Sequence, residues 1–439
     1  MPPTTTALDL TWIRAQFPTL AQTVNGHPAA FLDGPGGTQV PQRVIDAISG
    51  YLSRDNANTG GAYATSRRTD VMIADARAAM SDFLQCGSDE VVFGPNMTTL
   101  TFAMSRAVSR DFGPGDEILV TRLDHDANVA PWLALEEKGV TIRWAEIRED
   151  DCTLDLASLA DQLSSKTRLV AVGYASNAVG TINPVKEIVR LAHAAGALAY
   201  VDAVHYAPHG LIDVAALDCD FLVCSTYKFF GPHMGVLFGK RDHLRRLRPY
   251  KVRPNTNAVP NCWEWGTLNH ECIAGITECV EYIAGLGRAF AGNEEEYVGT
   301  AAPGCPSSAA RPSPLTRRAA IEAAYEAIHE YERVLLERAI ASLKKIRGLK
   351  IYGITDPARF DQRCATLAVR VDGHPPLELA TKLGERGIFT WDGNYYALNL
   401  TEQLDVEKSG GFLRIGLVHY NTVEEVDRLL EALGEIAGD

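Results

Sequence analysis

Short apolar runs alternate with helical patterns along the chain between about Phe31 and Phe238. Runs that are apolar at successive positions are typical of strands buried on both faces of a parallel sheet. Because helical patterns separate the runs, the sequence predicts an α/β fold with a mostly parallel, seven-stranded sheet flanked by helices. The predicted strands are Glu90–Phe93, Glu117–Val120, Thr141–Trp144, Leu169–Gly173, Leu198–Asp202, Phe221–Cys224 and Gly235–Phe238.

Two of the intervening helices have recognisable starts. Asn183 and Pro184 resemble an N-cap followed by proline at the first helical position. Small polar residues at Gly94–Thr99 precede a helix predicted over Leu100–Val108, where free backbone N–H groups favour an anion.

The composition changes after about residue 286. Gly292–Pro314 is rich in proline, serine, alanine and glycine, which predicts a mobile surface loop. The patterns beyond it predict a smaller α/β unit with a long helix, two strands and two further helices. These are expected at Arg317–Ile346, Lys350–Tyr352, Thr366–Val371, Leu377–Arg386 and Val423–Ile436.

Composition narrows the class of protein. The chain has 439 residues, of which 46% are apolar, and its formal net charge of −13 argues against nucleic-acid binding. Nine cysteines with irregular spacing and no CxxC pair predict neither a metal site nor a disulfide framework. They fit reduced thiols and a cytoplasmic protein. We expect no signal peptide and no membrane helix, because neither apolar pattern is present.

The most informative stretch surrounds Lys228, which follows an apolar strand and is enclosed by aromatic residues and Gly-Pro. Partial burial lowers the pKa of an amine and makes it a nucleophile, as Schiff-base chemistry requires. Asp202 ends another buried strand, where a carboxylate needs a partner such as a protonated pyridine nitrogen. Taken singly, Lys228 could reach solvent and Asp202 could cap a turn.

His125 and Asn177 also follow predicted strands, in the order expected of a ligand site along the strand C-termini. With these pieces together, the chain resembles pyridoxal-phosphate (PLP) enzymes of fold type I. Within them it resembles the class V aminotransferase family and its cysteine desulfurase-like branch. The resemblance extends from FLDGPGG at Phe31 to RIGLVHYNTVEEVD at Arg414–Asp427.

The resemblance implies roles for residues around the cofactor ring. Lys228 matches the lysine that forms the Schiff base and moves the Cα proton, and Asp202 matches the acid that pairs with the pyridinium nitrogen. His125 matches the histidine stacked on the ring. Asn177 and His205 match residues near the phenolic oxygen, although glutamine is usual in desulfurases where His205 stands.

The resemblance also implies a phosphate site, a partner subunit and a substrate clamp. The phosphate contacts match Asn96, Met97, Thr98, Ser225 and Tyr227. Gly266-Thr267 resembles the segment that reaches the phosphate of a neighbouring subunit, which implies a homodimer. Arg414 matches the arginine that holds the α-carboxylate of a small amino-acid substrate.

The resemblance implies a division into an N-terminal segment packed on the small domain, a large PLP-binding domain, a linker and a small domain. The expected bounds are 1–28, 29–286, 287–316 and 317–439. In the small domain, Tyr396 stands where desulfurases carry the cysteine that accepts sulfur as a persulfide. A phenol cannot accept sulfur in this way, so we expect an aminotransferase or lyase and not a desulfurase. Cys364, the nearest cysteine, is interpreted as an apolar filler.

Several alternatives stay open at this point. An aromatic cluster in the small domain either lines the substrate pocket, which would favour a bulky apolar substrate, or packs in the core; its members are Phe389, Trp391, Tyr395 and Tyr396. Epimerisation, decarboxylative C–C bond formation and a non-catalytic binding role are the other functions considered. A nucleotide-dependent oxidoreductase is disfavoured because Asp33–Gly37 lacks the GxGxxG spacing.

Overall fold

The computed structural model describes residues 8–290 and 315–438. The loop predicted at Gly292–Pro314 therefore lies outside the described residues. The predicted start of the linker at residue 287 is too early, because residues 287–290 still belong to a helix that ends at Phe290. In the described part, no helix combines the length and apolar character needed to cross a membrane.

The described residues form seventeen strands, several of them only two residues long. In chain order, β1 to β17 are Thr23–Val24, His27–Pro28, Ala30–Phe31, Val91–Gly94, Glu117–Thr121, Thr141–Ala145, Ile147–Arg148, Thr153–Leu154, Thr167–Gly173, Leu198–Asp202, Phe221–Ser225, Gly235–Gly239, Leu349–Tyr352, Thr366–Val371, Ile388–Phe389, Trp391–Gly393 and Phe412–Gly416.

Fourteen α-helices accompany these strands in the described residues. In chain order, α1 to α14 are Leu10–Arg14, Gln42–Arg54, Ala64–Leu84, Met97–Val108, Ala130–Leu133, Leu156–Asp161, Val185–Ala194, Val214–Leu217, Arg241–Arg246, His270–Phe290, Arg317–Leu343, Pro376–Glu385, Leu398–Gln403 and Val423–Gly438.

All seven strands predicted for the first part of the chain join one sheet, in the order β4-β12-β11-β10-β9-β5-β6. Only β12 runs antiparallel to its neighbours, so the sheet is mostly parallel. Successive residues of a strand enter different cores: Val170 packs in the cluster on one face, and Leu169 and Ala171 pack in the cluster on the other. Both faces of the central strands are covered, which explains why their central positions are apolar without alternation. The edge strand β6 is partly exposed and carries Arg143.

Two helix starts differ from the prediction. Helix α4 begins at Met97, almost one turn earlier than expected, because the Asn96 side chain accepts a hydrogen bond from the Thr99 N–H at 2.8 Å and caps the helix. Asn183 does not cap α7. Its side-chain amide is buried and instead donates to the Gly173 carbonyl at 2.8 Å, at the end of β9.

The second part of the chain forms an antiparallel sheet in the order β13-β14-β17-β16. Its core includes residues of α11, α12 and α14. The strands β13 and β14 were predicted, whereas β16 and β17 were not, and they carry Trp391 and Arg414 as directly paired residues.

The two sheets are tied together by the N-terminal part of the chain. Strand β3 pairs in parallel with β15, and Asp33 forms an isolated bridge with Gly416. Arg14 lies 2.8 Å from the Glu425 carboxylate, while Ile13 is buried in the core of the large sheet. The N-terminal segment thus contacts both parts, and the division at 1–28, 29–286, 287–316 and 317–439 is kept as a proposal, with the linker shortened at its start.

Candidate active site

A cleft opens at the edge of the large sheet where the parallel strands end. Loops after five of these strands contribute to it, together with one residue from the Gly-rich segment near the N-terminus. This is the edge at which open α/β sheets bind ligands. The lining residues are Pro35, Met97, Thr98, Asp124, His125, Gly173, Ala175, Asn177, Asp202, Val204, His205, Tyr227 and Lys228.

Lys228 lies just beyond β11, and its ammonium group is partly buried in the cleft. It donates to the carbonyl oxygens of Pro35 and Gly36, the latter at 3.0 Å. The pKa of this amine is lowered from 10.5 to about 7, chiefly by burial and also by the charge of nearby Arg414, while Asp202 acts in the opposite direction. A substantial fraction of Lys228 is therefore a neutral nucleophile near neutral pH.

Asp202 ends β10 and is buried. Its Oδ1 accepts a hydrogen bond from the Val204 N–H at 2.9 Å. Burial raises the pKa of this carboxyl to about 7, the charge of Asp124 adds to the rise, and Lys228 opposes it. A buried acid with so high a pKa is stabilised as a carboxylate when a cationic hydrogen-bond donor lies against it.

His125 follows β5 on the same edge of the sheet. Its Nδ1 accepts a hydrogen bond from the Ala127 N–H at 3.0 Å, which assigns the ring proton to Nε2. Burial lowers the pKa of His125 to about 4, with contributions from Lys228 and Arg414. The ring is therefore neutral at physiological pH, and it stacks against the Tyr396 ring with centroids 5.3 Å apart.

The predicted phosphate residues surround the N-terminus of α4, but they do not all face the cleft. Met97, Thr98 and Tyr227 line it. Asn96 uses its side chain to cap the helix, and the buried Ser225 hydroxyl accepts a hydrogen bond from the Met97 N–H at 3.1 Å. We infer that Asn96 and Ser225 orient this helix end and that the others face the ligand.

Glycine at position 235 is required by this arrangement. A Cβ atom there would lie 2.4 Å from the carbonyl carbon of Asn96, which is closer than packed atoms approach. Strand β12 can therefore pass directly beneath the start of α4 only because residue 235 has no side chain.

Asn177 and His205 present unpaired polar atoms in the same region. The Asn177 side chain donates to the Tyr395 carbonyl at 2.9 Å, which leaves its buried Oδ1 without a partner. The buried Nε2 of His205 also has no partner. Buried polar atoms are seldom left unpaired in folded proteins, so both are candidates for ligand contacts.

Arg414 extends from β17 of the small sheet towards this cleft. Its guanidinium donates to the Asn177 carbonyl at 3.0 Å and lies 4.1 Å from the centroid of the Tyr395 ring, while its Nε has no partner. Burial lowers the pKa of Arg414 to about 10, so the group is still cationic at neutral pH. A buried guanidinium with an unpaired N–H is suited to binding a carboxylate.

The four aromatic residues predicted near the pocket divide into two groups. Phe389 packs edge-on against Phe31, and the Tyr395 hydroxyl donates to the Trp391 carbonyl at 3.0 Å, so both belong to the core. Trp391 and Tyr396 are 52% and 70% exposed and lie at the rim of the site. Phe389 and Tyr395 therefore pack in the core, whereas Trp391 and Tyr396 lie at the rim of the site.

Thr267, a further predicted cofactor residue, does not line the cleft of its own chain. It lines two other surface clefts, one of which also contains Gly94, Pro95 and Thr99. It therefore sits on the opposite side of the loop that precedes α4. A contact between Thr267 and a cofactor phosphate would have to be made to another subunit.

The sequence interpretation missed the Gly-rich segment at Asp33–Gly37 as part of this site. It marked the start of the family resemblance and was weighed as a nucleotide-binding loop, but no site role was assigned to it. Its carbonyls at Pro35 and Gly36 accept hydrogen bonds from Lys228. Burial raises the pKa of Asp33 to about 6, against the charges of Arg414 and Lys228. The Gly-rich pattern is visible in the sequence. The sequence does not show that Lys228 contacts this segment.

Asp124 was also missed as a member of the site. Its carboxylate accepts hydrogen bonds from the Thr121 hydroxyl at 2.8 Å, the Asn128 amide at 2.7 Å and the Gly173 N–H at 2.9 Å. These contacts join the loop after β5 to the end of β9. Asp124 therefore positions the neighbouring His125.

A sequence profile of the Aminotransferase class-V family matches residues 30–298 and 318–429. The chain belongs to the class V aminotransferase family. Enzymes of this family depend on PLP, which confirms the predicted cofactor and enzyme class.

Relatives of this class V chain cover nearly its whole length. A cysteine desulfurase of Pectobacterium carotovorum subsp. carotovorum (strain PC1) is 31% identical over 441 residues, which is 97% of each chain. A cysteine desulfurase of Serratia proteamaculans (strain 568) is 32% identical, again over 97% of each chain.

Solved structures share the fold of this class V chain. The apo structure of a cysteine desulfurase from Thermococcus onnurineus NA1 has a TM-score of 0.80 at 23% identity and covers 96% of this chain and 98% of its own. The cysteine desulfurase CsdA from Escherichia coli has a TM-score of 0.79 at 24% identity and covers 98% of each chain. These likenesses confirm the predicted PLP fold type I.

The residues of this class V site fit PLP. Lys228 offers an amine of lowered pKa, and Asp202 offers a buried acid to the pyridinium nitrogen. The backbone at the start of α4 offers N–H groups to the phosphate, and the side chains of Asn177 and His205, which line the cleft, offer contacts to the ring oxygen. The assignment of each contact is our proposal.

The lowered pKa of Lys228 predicts how PLP attachment to this class V protein depends on pH. Below pH 7 the amine is mostly protonated, so the rate of attachment to the apoprotein should rise with pH and level off above about pH 7 to 8. Stopped-flow absorbance after PLP addition measures this rate. Under the same conditions, Nα-acetyl-lysine should continue to accelerate towards pH 10, as expected for an ordinary lysine. Identical profiles for protein and free amine would contradict the prediction.

Proposed function

We propose that this protein is a PLP-dependent enzyme that acts at Cα or Cβ of an α-amino acid, as an aminotransferase or a lyase. One observation carries the proposal. The amine of Lys228 lies in the same cleft as the buried acid Asp202, and both Asp202 and the buried guanidinium of Arg414 are near enough to affect its pKa. A nucleophile, a partner for a pyridinium and a binding group for a carboxylate are what such a reaction needs.

The chain's own groups divide the work. When bound, PLP supplies an electron sink for the bond that breaks at the substrate carbon. Arg414 binds and orients the α-carboxylate of the substrate through paired N–H groups. Lys228, once released as a free amine of lowered pKa, takes and returns the proton at Cα. Asp202 keeps a negative charge beside the pyridine nitrogen, and neutral His125 covers one face of the ring.

The proposed activity differs from that of the relatives, which are named cysteine desulfurases. Tyr396 stacks against His125 at the rim, in the position where the desulfurase resemblance calls for a cysteine. Among residues 8–290 and 315–438, no cysteine lines the cleft. Because a phenol forms no persulfide, we propose that the protein releases its product without a sulfur-carrying cysteine at this position.

The rim also supports a proposal about the substrate. Trp391 and Tyr396 project as exposed aromatic side chains, and Trp391 pairs directly with Arg414 across β16 and β17. A substrate held by Arg414 therefore extends past apolar aromatic faces. We propose an amino acid with an apolar or bulky side chain, because burial of such a group against the rings is favourable.

The proposed assembly is a homodimer whose active sites are completed across the interface. Thr267 lies on the far side of the loop preceding α4, which supports a contact with the phosphate bound by a neighbouring subunit. We also propose that the enzyme works in the reducing cytoplasm, because the eight cysteines in the described residues are all unpaired.

An amino-acid panel tests the proposed reaction. The holoenzyme is incubated with each amino acid, and the products are identified by mass spectrometry. We expect a keto acid or an elimination product from a bulky apolar amino acid. From L-cysteine we expect no alanine and no persulfide on any of the nine cysteines. Alanine formed together with a protein persulfide would contradict the proposal.

A pair of variants sharpens this test. Tyr396→Cys places a thiol at the rim, whereas Tyr396→Ser introduces a hydroxyl of similar size. If the loop carries residue 396 where a desulfurase carries its cysteine, then only Tyr396→Cys should acquire a persulfide from L-cysteine. A persulfide elsewhere in both variants would show that another cysteine accepts sulfur.

A further inference from the structure

A buried group of potential metal ligands lies behind the wall of the cleft. One ligand atom each from His205, His209 and Cys364 can be chosen so that all lie within 4.8 Å of one another. All three residues are buried, with at most 5% of their surface exposed. The absence of CxxC pairs led the sequence analysis to expect no metal, but this group combines residues from both parts of the chain.

The fold holds the three residues together through backbone contacts. The chain after β10 turns helically, with the Ala207 N–H donating to the Ala203 carbonyl at 2.9 Å. Residues four apart in such a turn share a face, which brings His205 and His209 together. Cys364 arrives from the other part of the chain, where its N–H donates to the Gly180 carbonyl at 2.8 Å.

The hydrogen bonds around the group leave its ligand atoms free. His209 Nδ1 lies 2.7 Å from the Glu332 carboxylate, so its Nε2 is available. His205 Nε2 is buried and has no hydrogen-bond partner. A carboxylate behind a histidine is the usual outer support of a metal-bound imidazole, because it fixes the tautomer.

We propose that His205, His209 and Cys364 bind a divalent transition-metal ion of the zinc class. Two imidazoles and a thiolate form a donor set that Zn²⁺ prefers, with a fourth tetrahedral position left for water. Binding forms two metal–nitrogen bonds and one metal–sulfur bond, and the thiol proton of Cys364 passes to solvent. The negative charges of the thiolate and of Glu332 compensate the charge of the ion.

The site has access to solvent and to the cofactor cleft. His209, Glu332 and Cys364 line a separate cavity of about 1120 Å³, through which an ion can enter. His205 instead lines the Lys228 cleft, so the group forms part of the wall between the two cavities. With its Nε2 on the metal, His205 carries its proton on Nδ1 and becomes a hydrogen-bond donor. A hydrogen bond from His205 Nδ1 to the cofactor would rest on the proposed function. The metal site itself does not depend on that function.

Zinc binding to the PLP-loaded enzyme tests the proposal. The protein is incubated with ZnCl₂, desalted and analysed for zinc by elemental mass spectrometry. Zinc K-edge X-ray absorption then identifies the neighbouring atoms. We expect a single zinc ion per chain with one sulfur neighbour at about 2.3 Å and nitrogen neighbours at about 2.0–2.1 Å. Zinc that is absent after desalting, or that has no sulfur neighbour, would overturn the proposal without affecting the proposed reaction.

Matched variants locate the ion. Cys364→Ala and His209→Gln should lose stoichiometric zinc, and Glu332→Gln should bind it about 10–100-fold more weakly. Cys152→Ala is the control, because Cys152 is also buried but belongs to no such group. Unfolding curves verify that each variant is folded. Zinc retained equally by Cys364→Ala and Cys152→Ala would overturn the proposal. If a variant does not fold, the test is the sulfur neighbour of zinc in the X-ray absorption spectrum of the unmodified enzyme.

Discussion

Replacing Lys228 by alanine should abolish covalent attachment of PLP and lower turnover by at least about 10²–10⁴-fold, the usual contribution of a positioned acid or base. The amine is the nucleophile of the cleft, and its lowered pKa leaves a substantial fraction of it neutral at physiological pH. Two measurements test this expectation. They are the visible absorbance of the holoprotein, and mass spectrometry of the peptide labelled after borohydride reduction.

Two further variants make the result for Lys228 specific. Lys228→Arg keeps a cation between the Pro35 and Gly36 carbonyls but cannot form the Schiff base, so it should fail like the alanine variant. Lys240→Ala removes a lysine that pairs with Asp218 outside the cleft, and it should retain both attachment and turnover. Full activity of Lys228→Ala would falsify the assignment of the nucleophile.

Replacing Asp202 by asparagine should weaken PLP binding and lower kcat/KM strongly. Removing one partner of a buried charge pair costs about 3–5 kcal/mol, which corresponds to roughly 10²–10⁴-fold. The asparagine side chain fills the same space and still accepts the Val204 N–H, so the loss comes from the charge. PLP affinity by fluorescence titration and kcat/KM for an accepted amino acid give the two values.

A control variant distinguishes the loss of a carboxylate charge in the cleft from the loss of a carboxylate charge elsewhere in the protein. Asp213→Asn keeps a side-chain oxygen that caps α8 through the Ala216 N–H, and it lies outside the cleft. It should leave PLP binding unchanged. If Asp202→Asn bound PLP as tightly as Asp213→Asn does, the proposed contact with the pyridinium would be wrong.

The large sheet was predictable because its strands are buried on both faces. Most of these strands contain a run such as Leu169–Gly173 that is apolar at every position, and this pattern hardly depends on which strands are neighbours. The edge strand Thr141–Ala145, with Arg143 and a partly exposed surface, is the exception. The small strand β16 was missed for the opposite reason. Trp391–Gly393 is short, partly exposed and polar at its centre, so only pairing with β17 makes it a strand.

In the site, too, local sequence patterns predicted some residues, while the roles of others depend on tertiary contacts. Lys228, Asp202 and His125 follow strands that the pattern predicts, and parallel strands bring their ends to one edge. Asn183 was assigned to a helix cap from local sequence, but a buried carbonyl at Gly173 competes for its amide. The role of Pro35 and Gly36 depends on a lysine almost two hundred residues away.

The sequence by itself determined the layered α/β architecture, which follows from local apolar periodicity. The family and the cofactor came from the resemblance of its ordered motifs to those of known enzymes. Only the tertiary structure decided which side chains share an environment. It sent Tyr395 into the core and Tyr396 to the rim, and it brought His205, His209 and Cys364 into one buried group. The physical reason is that pKa values, unpaired buried atoms and ligand sets depend on distances between residues that are remote in the chain.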